Sequence, residues 1–170
     1  MKKLIVLLLF SLTSYLYGPH YTTYGGYSAW MPSEMLEDSV VTWGEMGFGG
    51  DSSSVNFSDV AAIYSSVGAF AAIKNDGSVV TWGSSTDGGD SSSVQSQLTN
   101  VAAIYSNDYA FAALKDDGTV VTWGYQEYGG DSSSVQSQLT NVTAIYSIGL
   151  AFAALKGDGG VVTWGYQEYG

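Results

Sequence analysis

The side chains of this sequence that could do chemistry are mostly carboxylates and tyrosines. Sixteen Asp and Glu stand against five Lys, a single histidine (His20) and no Cys. Asp51, Asp90 and Asp131 recur in one setting, each directly before Ser-Ser-Ser. Carboxylates can bind Ca²⁺, but a calcium loop contains several acidic residues and each of these loops contains one. We therefore expect these aspartates to form turns, and we predict no metal site and no cofactor.

The composition also narrows the classes of function. The formal net charge is −11, whereas nucleic-acid and anionic membrane surfaces attract Lys and Arg. Without cysteine there is no disulfide, thiolate metal site or cysteine nucleophile, and one histidine leaves little room for histidine catalysis. Paired carboxylates could hydrolyse glycosidic bonds, but none falls into a distinctive motif. We expect a protein that is not an enzyme and that binds neither nucleic acid nor membrane.

The first 18 residues read as an export signal. Lys2 and Lys3 precede a mostly apolar run from Leu4 to Tyr17, which is shorter than the roughly 20 residues that span a membrane. Such a pattern is typical of a secretory signal peptide. We predict a signal peptide over residues 1–18 and a mature protein that is secreted, periplasmic or on the cell surface, with an uncleaved anchor as the alternative.

Most of the remaining sequence consists of copies of one repeat. Val-Val-Thr-Trp-Gly occurs four times, and its tryptophans are spaced by 39, 41 and 41 residues: Trp43, Trp82, Trp123 and Trp164. A repeat of this period indicates structural units that must stack to bury a core. We predict repeat blades over 39–170, with complete units near 60–83, 101–124 and 142–165. Residues 19–38 are interpreted as a degenerate first unit or cap.

Each unit has the pattern of three short strands. In the third copy these are Val101–Ser106, Ala110–Lys115 and Thr119–Trp123, rich in β-branched and aromatic residues. Asp117-Gly118 predicts a two-residue hairpin turn between the second and third strands. Gln136–Thr140, which follows this copy, could add a marginal outer strand.

The stacked units predict an all-β fold made of β-propeller blades. Linear stacking into a solenoid is the alternative, but alanines recurring on the second strand favour a radial arrangement with little room. We expect the repeat tryptophans to form the core between blades rather than platforms for sugars. Three good units and one decayed unit predict an incomplete or partial propeller, whose open blade edges would favour self-association.

The repeat frame resembles a known family. Val-x-x-Ile…Ala-Leu-x-x-Asp-Gly-x-Val-x-x-Trp-Gly, followed by Gly-Gly, is similar to the regulator-of-chromosome-condensation repeat over about residues 39–170. The resemblance implies a β-propeller, usually seven-bladed. The short repeat is most similar to the family's secreted bacterial branch, which includes β-lactamase-inhibitory propeller proteins. The exchange-factor activity and chromatin binding of nuclear members are not implied, because the acidic charge and the signal peptide oppose both.

The sequence departs from this family at two positions of the repeat. The family's frequent glycine after the first strand and its frequent histidine at the start of the second are replaced by Ser66, Asn107 and Ile148, and by Ala69, Ala110 and Ala151.

The copies differ from one another mainly in two loops, one after the first strand and one after Trp-Gly. If the strands run up, down and up, both loops lie on one face, which is the pattern of a binding surface on a constant scaffold. Neutral drift in exposed loops is the alternative. The candidate binding residues are Asn107, Asp108, Tyr109, Tyr125, Gln126, Glu127, Tyr128, Ile148 and Leu150.

Two functions fit this face. The first is an exported binding module that engages an unknown protein partner through the variable loops, since tyrosine offers large contact area at low entropic cost. The alternative is a lectin-like propeller that binds a glycan through Tyr109, Tyr125 and Tyr128.

Overall fold

The structure, a computed structural model, describes residues 21–24, 27–30 and 40–168. These ranges form four antiparallel sheets of three strands, each paired in chain order with the middle strand in the centre. Sheet 1 contains β1 (Tyr21–Tyr24), β2 (Tyr27–Trp30) and β3 (Val41–Trp43), and sheet 2 contains β4 (Val60–Ser65), β5 (Ala69–Lys74) and β6 (Val79–Gly83). Sheet 3 contains β7 (Val101–Ser106), β8 (Ala110–Lys115) and β9 (Val120–Gly124), and sheet 4 contains β10 (Val142–Ile148), β11 (Ala151–Lys156) and β12 (Val161–Gly165). The fold is all-β, a partial propeller of stacked three-stranded blades.

Two sequence predictions concern the amino-terminal region, of which the structure describes only a part. The predicted signal peptide over residues 1–18 lies outside the described residues. Within 19–38, residues 21–24 and 27–30 are described as β1 and β2, and β2 pairs with β3. No helix in the described ranges is long and apolar enough to cross a membrane.

Every repeat sheet has two unlike faces because neighbouring residues of a strand point to opposite sides. On β8, Phe111 and Ala113 pack toward sheet 2, while Ala110, Ala112 and Leu114 pack toward sheet 4. We call the side toward the preceding sheet the front face and the side toward the following sheet the back face. The front face is therefore aromatic and the back face is lined by alanine.

The core lies in the joints where one sheet's front face meets the back face of the sheet before it. Phe111 stacks on Trp123 at 5.2 Å between ring centroids, and this pair packs against Ala69 and Ala71 of β5. The recurrent alanines thus leave room for the aromatic pair of the next sheet. The prediction that the tryptophans form this core is confirmed for three of them, which are 2–4% exposed: Trp82, Trp123 and Trp164.

The first strands of successive sheets lie beside one another and are joined by a polar ladder. The Ser106 hydroxyl donates to the Ser65 carbonyl at 2.7 Å, and the Ser147 hydroxyl donates to the Ser106 carbonyl at 2.7 Å. Their spacing of 41 residues equals the repeat period, so sheets 3 and 4 each bond in the same way to the sheet before them.

The hairpin turn between the second and third strands differs from the sequence prediction. The Gly118 amide donates to the Lys115 carbonyl, and the Lys115 amide donates to Thr119, which makes a three-residue loop. Gly118 is left-handed with φ 76°, whereas Asp117 is not among the residues with positive φ. The predicted two-residue Asp-Gly turn is therefore wrong, because the loop is a type I turn followed by a left-handed glycine.

The predicted outer strand over Gln136–Thr140 is also wrong. Gln136–Gln138 forms a single 3₁₀ turn, and a side chain replaces the expected backbone pairing. The Gln136 Nε2 donates to the Val120 carbonyl on the outer strand at 3.0 Å, while its Oε1 accepts from the Ser132 hydroxyl at 2.8 Å.

Candidate functional site

The two variable loops of each unit lie at the same end of its sheet. In sheet 3 the Asn107 Nδ2 donates to the Tyr128 carbonyl at 2.6 Å and so joins the loop after β7 to the loop after β9. In sheet 2 the Ser66 hydroxyl makes the equivalent bond to the Asp87 carbonyl at 2.9 Å. We call the surface formed by residues 66–68, 84–87, 107–109, 125–128, 149–150 and 166–168 the loop face.

Asn107 is a buried residue at the base of the loop face. It is 7% exposed, and its Oδ1 accepts from the amides of Tyr109 and Ala110 at 2.9 and 2.8 Å. Both ends of the amide are bonded inside the loops, so the Asn107 side chain holds the two loops together. Its part in binding stays a prediction.

Four tyrosine rings form one cluster on the loop face. Tyr125 stacks on Tyr128 at 4.6 Å with the ring planes 20° apart, and Tyr109 packs against Tyr128 at 5.3 Å. Tyr166, from the loop after β12, meets Tyr128 edge-on at 5.7 Å. The tyrosine cluster therefore bridges sheets 3 and 4, and it includes one residue that the sequence analysis did not select.

The stack follows from the local backbone. Gln126–Tyr128 is a single 3₁₀ turn, in which residues three apart lie above one another, so Tyr125 and Tyr128 eclipse. The turn ends at Gly129, which has φ 101°. A Cβ there would lie 2.7 Å from Phe152 Cδ2, so only glycine lets this loop sit so closely on the front face of sheet 4.

The environment of the tyrosine cluster is crowded and acidic. Loss of solvent around Tyr128 raises the pKa of its hydroxyl above the usual value of 10.0, and the neighbouring Tyr125 and Glu127 act in the same direction. Gln126 and Glu127, between the two stacked rings in sequence, are exposed. The Tyr128 hydroxyl is thus uncharged at neutral pH.

The other predicted residues of the loop face lie outside the cluster. The Asp108 backbone links neighbouring sheets, donating to the Gly149 carbonyl at 3.1 Å and accepting from the Val67 amide at 2.9 Å. Leu150 is partly buried, and its carbonyl accepts from the Tyr166 amide at 3.0 Å. Ile148 is 58% exposed and pairs with Ala151 in the sheet, which places it on the back face of sheet 4.

The three aspartates beside Ser-Ser-Ser form turns, as the sequence predicts. Each carboxylate accepts from the backbone amide two residues later: Asp51 from Ser53, Asp90 from Ser92 and Asp131 from Ser133. These bonds lower the pKa of all three carboxyl groups. In the part of the chain that the structure describes, no group of three or more His, Asp or Glu is placed to hold a metal ion.

Comparisons with known proteins support the fold. No family model and no curated protein matches this sequence, but solved structures do. The ectodomain of the receptor kinase CR4 from Physcomitrella patens is 17% identical with a TM-score of 0.57, covering 85% of this chain and 38% of that one. Human WBSCR16 is 18% identical with a TM-score of 0.58, covering 91% and 49%. The complex of Kap60 with yeast RCC1 (Prp20) gives 17% identity and a TM-score of 0.60, covering 85% and 42%.

These TM-scores show that the chain shares the fold of propeller repeat proteins. The chain spans less than half the length of each of these solved chains.

Proposed function

We propose that this protein is an exported propeller-type binding module that engages a protein partner through the tyrosine cluster of the loop face. The observation that carries the proposal is the meeting of Tyr109, Tyr125, Tyr128 and Tyr166 at the junction of two sheets. These rings belong to the loops that vary between copies and take no part in the joints. A constant scaffold with variable, aromatic loops at one end is the usual arrangement of a protein-binding surface.

The chemistry of the cluster suits a protein partner. Rings already stacked lose little conformational entropy on binding, and their hydroxyls can donate or accept at the rim. The net charge of −11 favours a partner with a basic surface, because opposite potentials speed association. Among the similar structures, yeast RCC1 was solved in complex with another protein, Kap60.

A glycan is the second candidate, through Tyr109, Tyr125 and Tyr128. A sugar ring packs on an open aromatic face, but Tyr125 and Tyr128 cover one face of each other at 4.6 Å. Only the outer faces remain for a sugar, so the geometry favours the protein partner.

Export is the other part of the proposal. The basic and apolar pattern of residues 1–18 supports cleavage by a signal peptidase and a mature protein that is secreted, periplasmic or on the cell surface. The proposal gives the protein no catalytic role and places it with the secreted bacterial branch of the family. Amino-terminal sequencing of the mature protein tests cleavage; an intact Met1 in the cytoplasmic fraction would contradict it.

A loop exchange tests the binding face. Replacing Tyr125–Tyr128 by the Ser-Ser-Thr-Asp of the equivalent loop 84–87 removes two rings but uses a loop that already fits this scaffold. A photo-crosslinking residue at exposed Gln126 identifies the partner, and the same group at exposed Gln97, on a linker, is the control. We expect a protein captured from position 126 only, with at least tenfold weaker binding to the exchange variant at an unchanged melting temperature.

The outcomes separate the two candidates. A glycan-array signal that the exchange abolishes would show that the ligand is a sugar and not a protein. Equal capture from both positions, or full binding by a folded exchange variant, would refute the role of the tyrosine cluster.

A further inference from the structure

The back face of sheet 4 is open although it has the composition of a joint. In sheet 3, Val120 and Ala112 of the back face are 1% and 0% exposed because sheet 4 covers them. The equivalent residues of sheet 4 are Val161, which is 64% exposed, and Ala153, which is partly exposed. Tyr146 of the same face is 62% exposed. This face presents the alanine and valine surface that receives an aromatic pair elsewhere in the molecule.

The front face of sheet 1 is open in the complementary way. Trp43 is 51% exposed and Val41 is 50% exposed, whereas the equivalent Trp123 and Val121 of sheet 3 are 2% and 7% exposed. The strand register pairs Trp30 with Val41. Sheet 1 therefore offers a tryptophan-bearing front face without a preceding sheet in the described residues.

We propose that these two open faces bind each other between copies of this chain, head to tail. The front face of sheet 1 in one copy would pack on the back face of sheet 4 in the next, with Trp43 entering the surface formed by Ala153 and Val161. This contact repeats the joints inside the chain, where the same residue types already pack together. Because the contact joins two different surfaces, it is heterologous. Such contacts either close into a ring or continue as an open filament, and a propeller arrangement requires the ring.

A second copy of this chain is the partner that fits both open faces. Both halves of the joint are present on one chain, at opposite ends of the array. Two copies joined through both faces are the smallest assembly in which such a contact closes. We therefore expect two copies that close together, with eight described sheets between them.

The joint between copies is expected to be weaker than an internal joint. Internal front faces carry a stacked pair such as Phe70 and Trp82, but the register places Ser28 opposite Trp43, at the position of Phe70. One ring is therefore missing. The net charge of −11 per copy also opposes association, so added salt should strengthen it by screening.

Two variants that each block one end test the proposal. In the full chain, Trp43→Ala removes the front anchor and Val161→Lys places a charge on the back face; both residues are already half exposed or more, so the fold should survive. Met46→Lys, at a 70% exposed residue outside both faces, is the matched control. Masses are measured by sedimentation over a range of concentrations, with circular dichroism and melting to verify folding.

A head-to-tail joint predicts a particular pattern of complementation. The wild type and Met46→Lys should approach the mass of two copies, and each blocked variant alone should remain at one copy, with association weakened at least tenfold. An equimolar mixture of the two blocked variants should form a one-to-one complex, since each retains the face that the other lacks. A monomeric wild type, a blocked variant that still pairs with itself, or a mixture that stays monomeric would overturn the proposal.

Discussion

The joint between sheets 1 and 2 and the joint between sheets 2 and 3 use the same aromatic pair but differ in their hydrogen bonds. In the second joint the Trp123 indole Nε1 donates to the Gly88 carbonyl at 3.0 Å, and the third joint repeats this bond between Trp164 and Gly129 at 3.1 Å. In the first joint the Trp82 Nε1 is buried without a hydrogen-bond partner among the described residues. The first repeat interval is also two residues shorter than the others.

The two linkers also differ in their contacts with the joints. The second linker buries Leu98 completely and clamps the outer strand by a bond from Gln95 Nε2 to the Val79 carbonyl at 2.9 Å. The shorter first linker instead places Phe57 edge-on against Trp82 at 5.0 Å. The stacked aromatic pair thus occurs with the shorter linker as with the longer one, whereas the indole bond accompanies the longer linkers only, among the described residues.

Truncation of the core ring should give the largest effect. Phe111 is fully buried in the second joint, so Phe111→Ala should lower the free energy of unfolding by about 3–5 kcal/mol. Phe57 of the first joint is only partly buried, and Phe57→Ala should cost about half as much. Urea denaturation measures both, and equal losses would contradict the difference between the joints.

The glycine that contacts the aromatic pair should come next, and here the two joints should agree. Gly88 has φ 101° and a Cβ there would lie 2.5 Å from Phe111 Cδ2; Gly49 has φ 92° and a distance of 2.7 Å to Phe70 Cδ2. Gly88→Ala and Gly49→Ala should each cost about 2–3 kcal/mol from backbone strain and overpacking. Gly47→Ala, with nothing within 4 Å, is the control and should be nearly neutral by thermal melting.

The indole hydrogen bond separates the two joints most directly. Trp123→Phe removes the donor to the Gly88 carbonyl, whereas Trp82→Phe removes a donor for which the described part of the chain offers no partner. The first substitution should therefore cost about 1–2 kcal/mol more than the second. If the two variants lose the same stability in urea, the bond to Gly88 contributes nothing to the joint.

The smallest effect concerns acid, where the two linkers should again agree. Backbone bonds lower the pKa of Asp51 in the first linker and of Asp90 in the second below the usual 3.8. The folded state then binds fewer protons than the unfolded state, so this stabilisation is present above pH 3.8 and is lost as the pH falls through the folded pKa. Asp51→Asn and Asp90→Asn should each make melting less sensitive to acid, by similar amounts. A change confined to one of them would show that the turns differ.

The repeat allowed much of the fold to be predicted. β7 and β8 begin and end at the predicted residues, and β9 begins at Val120, one residue after the predicted start. The turn at Asp117 was wrong because two turn types share the Asp-Gly sequence and differ in whether Asp117 itself has positive φ. The pairing of Gln136 with the outer strand could not be foreseen either, because it depends on a side chain reaching across 16 residues.

The sequence indicated where the variable loops meet but not how their side chains are arranged. Variation between copies selected Tyr109, Tyr125 and Tyr128, whose rings lie together, and it selected Asn107, which is buried. Variation at that position reflects different ways to bond the same two loops, an amide at Asn107 and a hydroxyl at Ser66. Tyr166 could have been found from the exact repetition of Tyr-Gln-Glu-Tyr 41 residues after Tyr125.

The unlike faces of each sheet have a consequence for how such a chain can evolve. An aromatic front face and an alanine back face give sheets 2, 3 and 4 the same orientation, so any of these three units can follow any other. Unequal recombination between two copies of the repeat in the gene would add or remove whole sheets and still leave each new boundary aromatic on one side and alanine on the other. The length of the array can thus change in steps of one unit by a single genetic event, without first acquiring compensating mutations in the core.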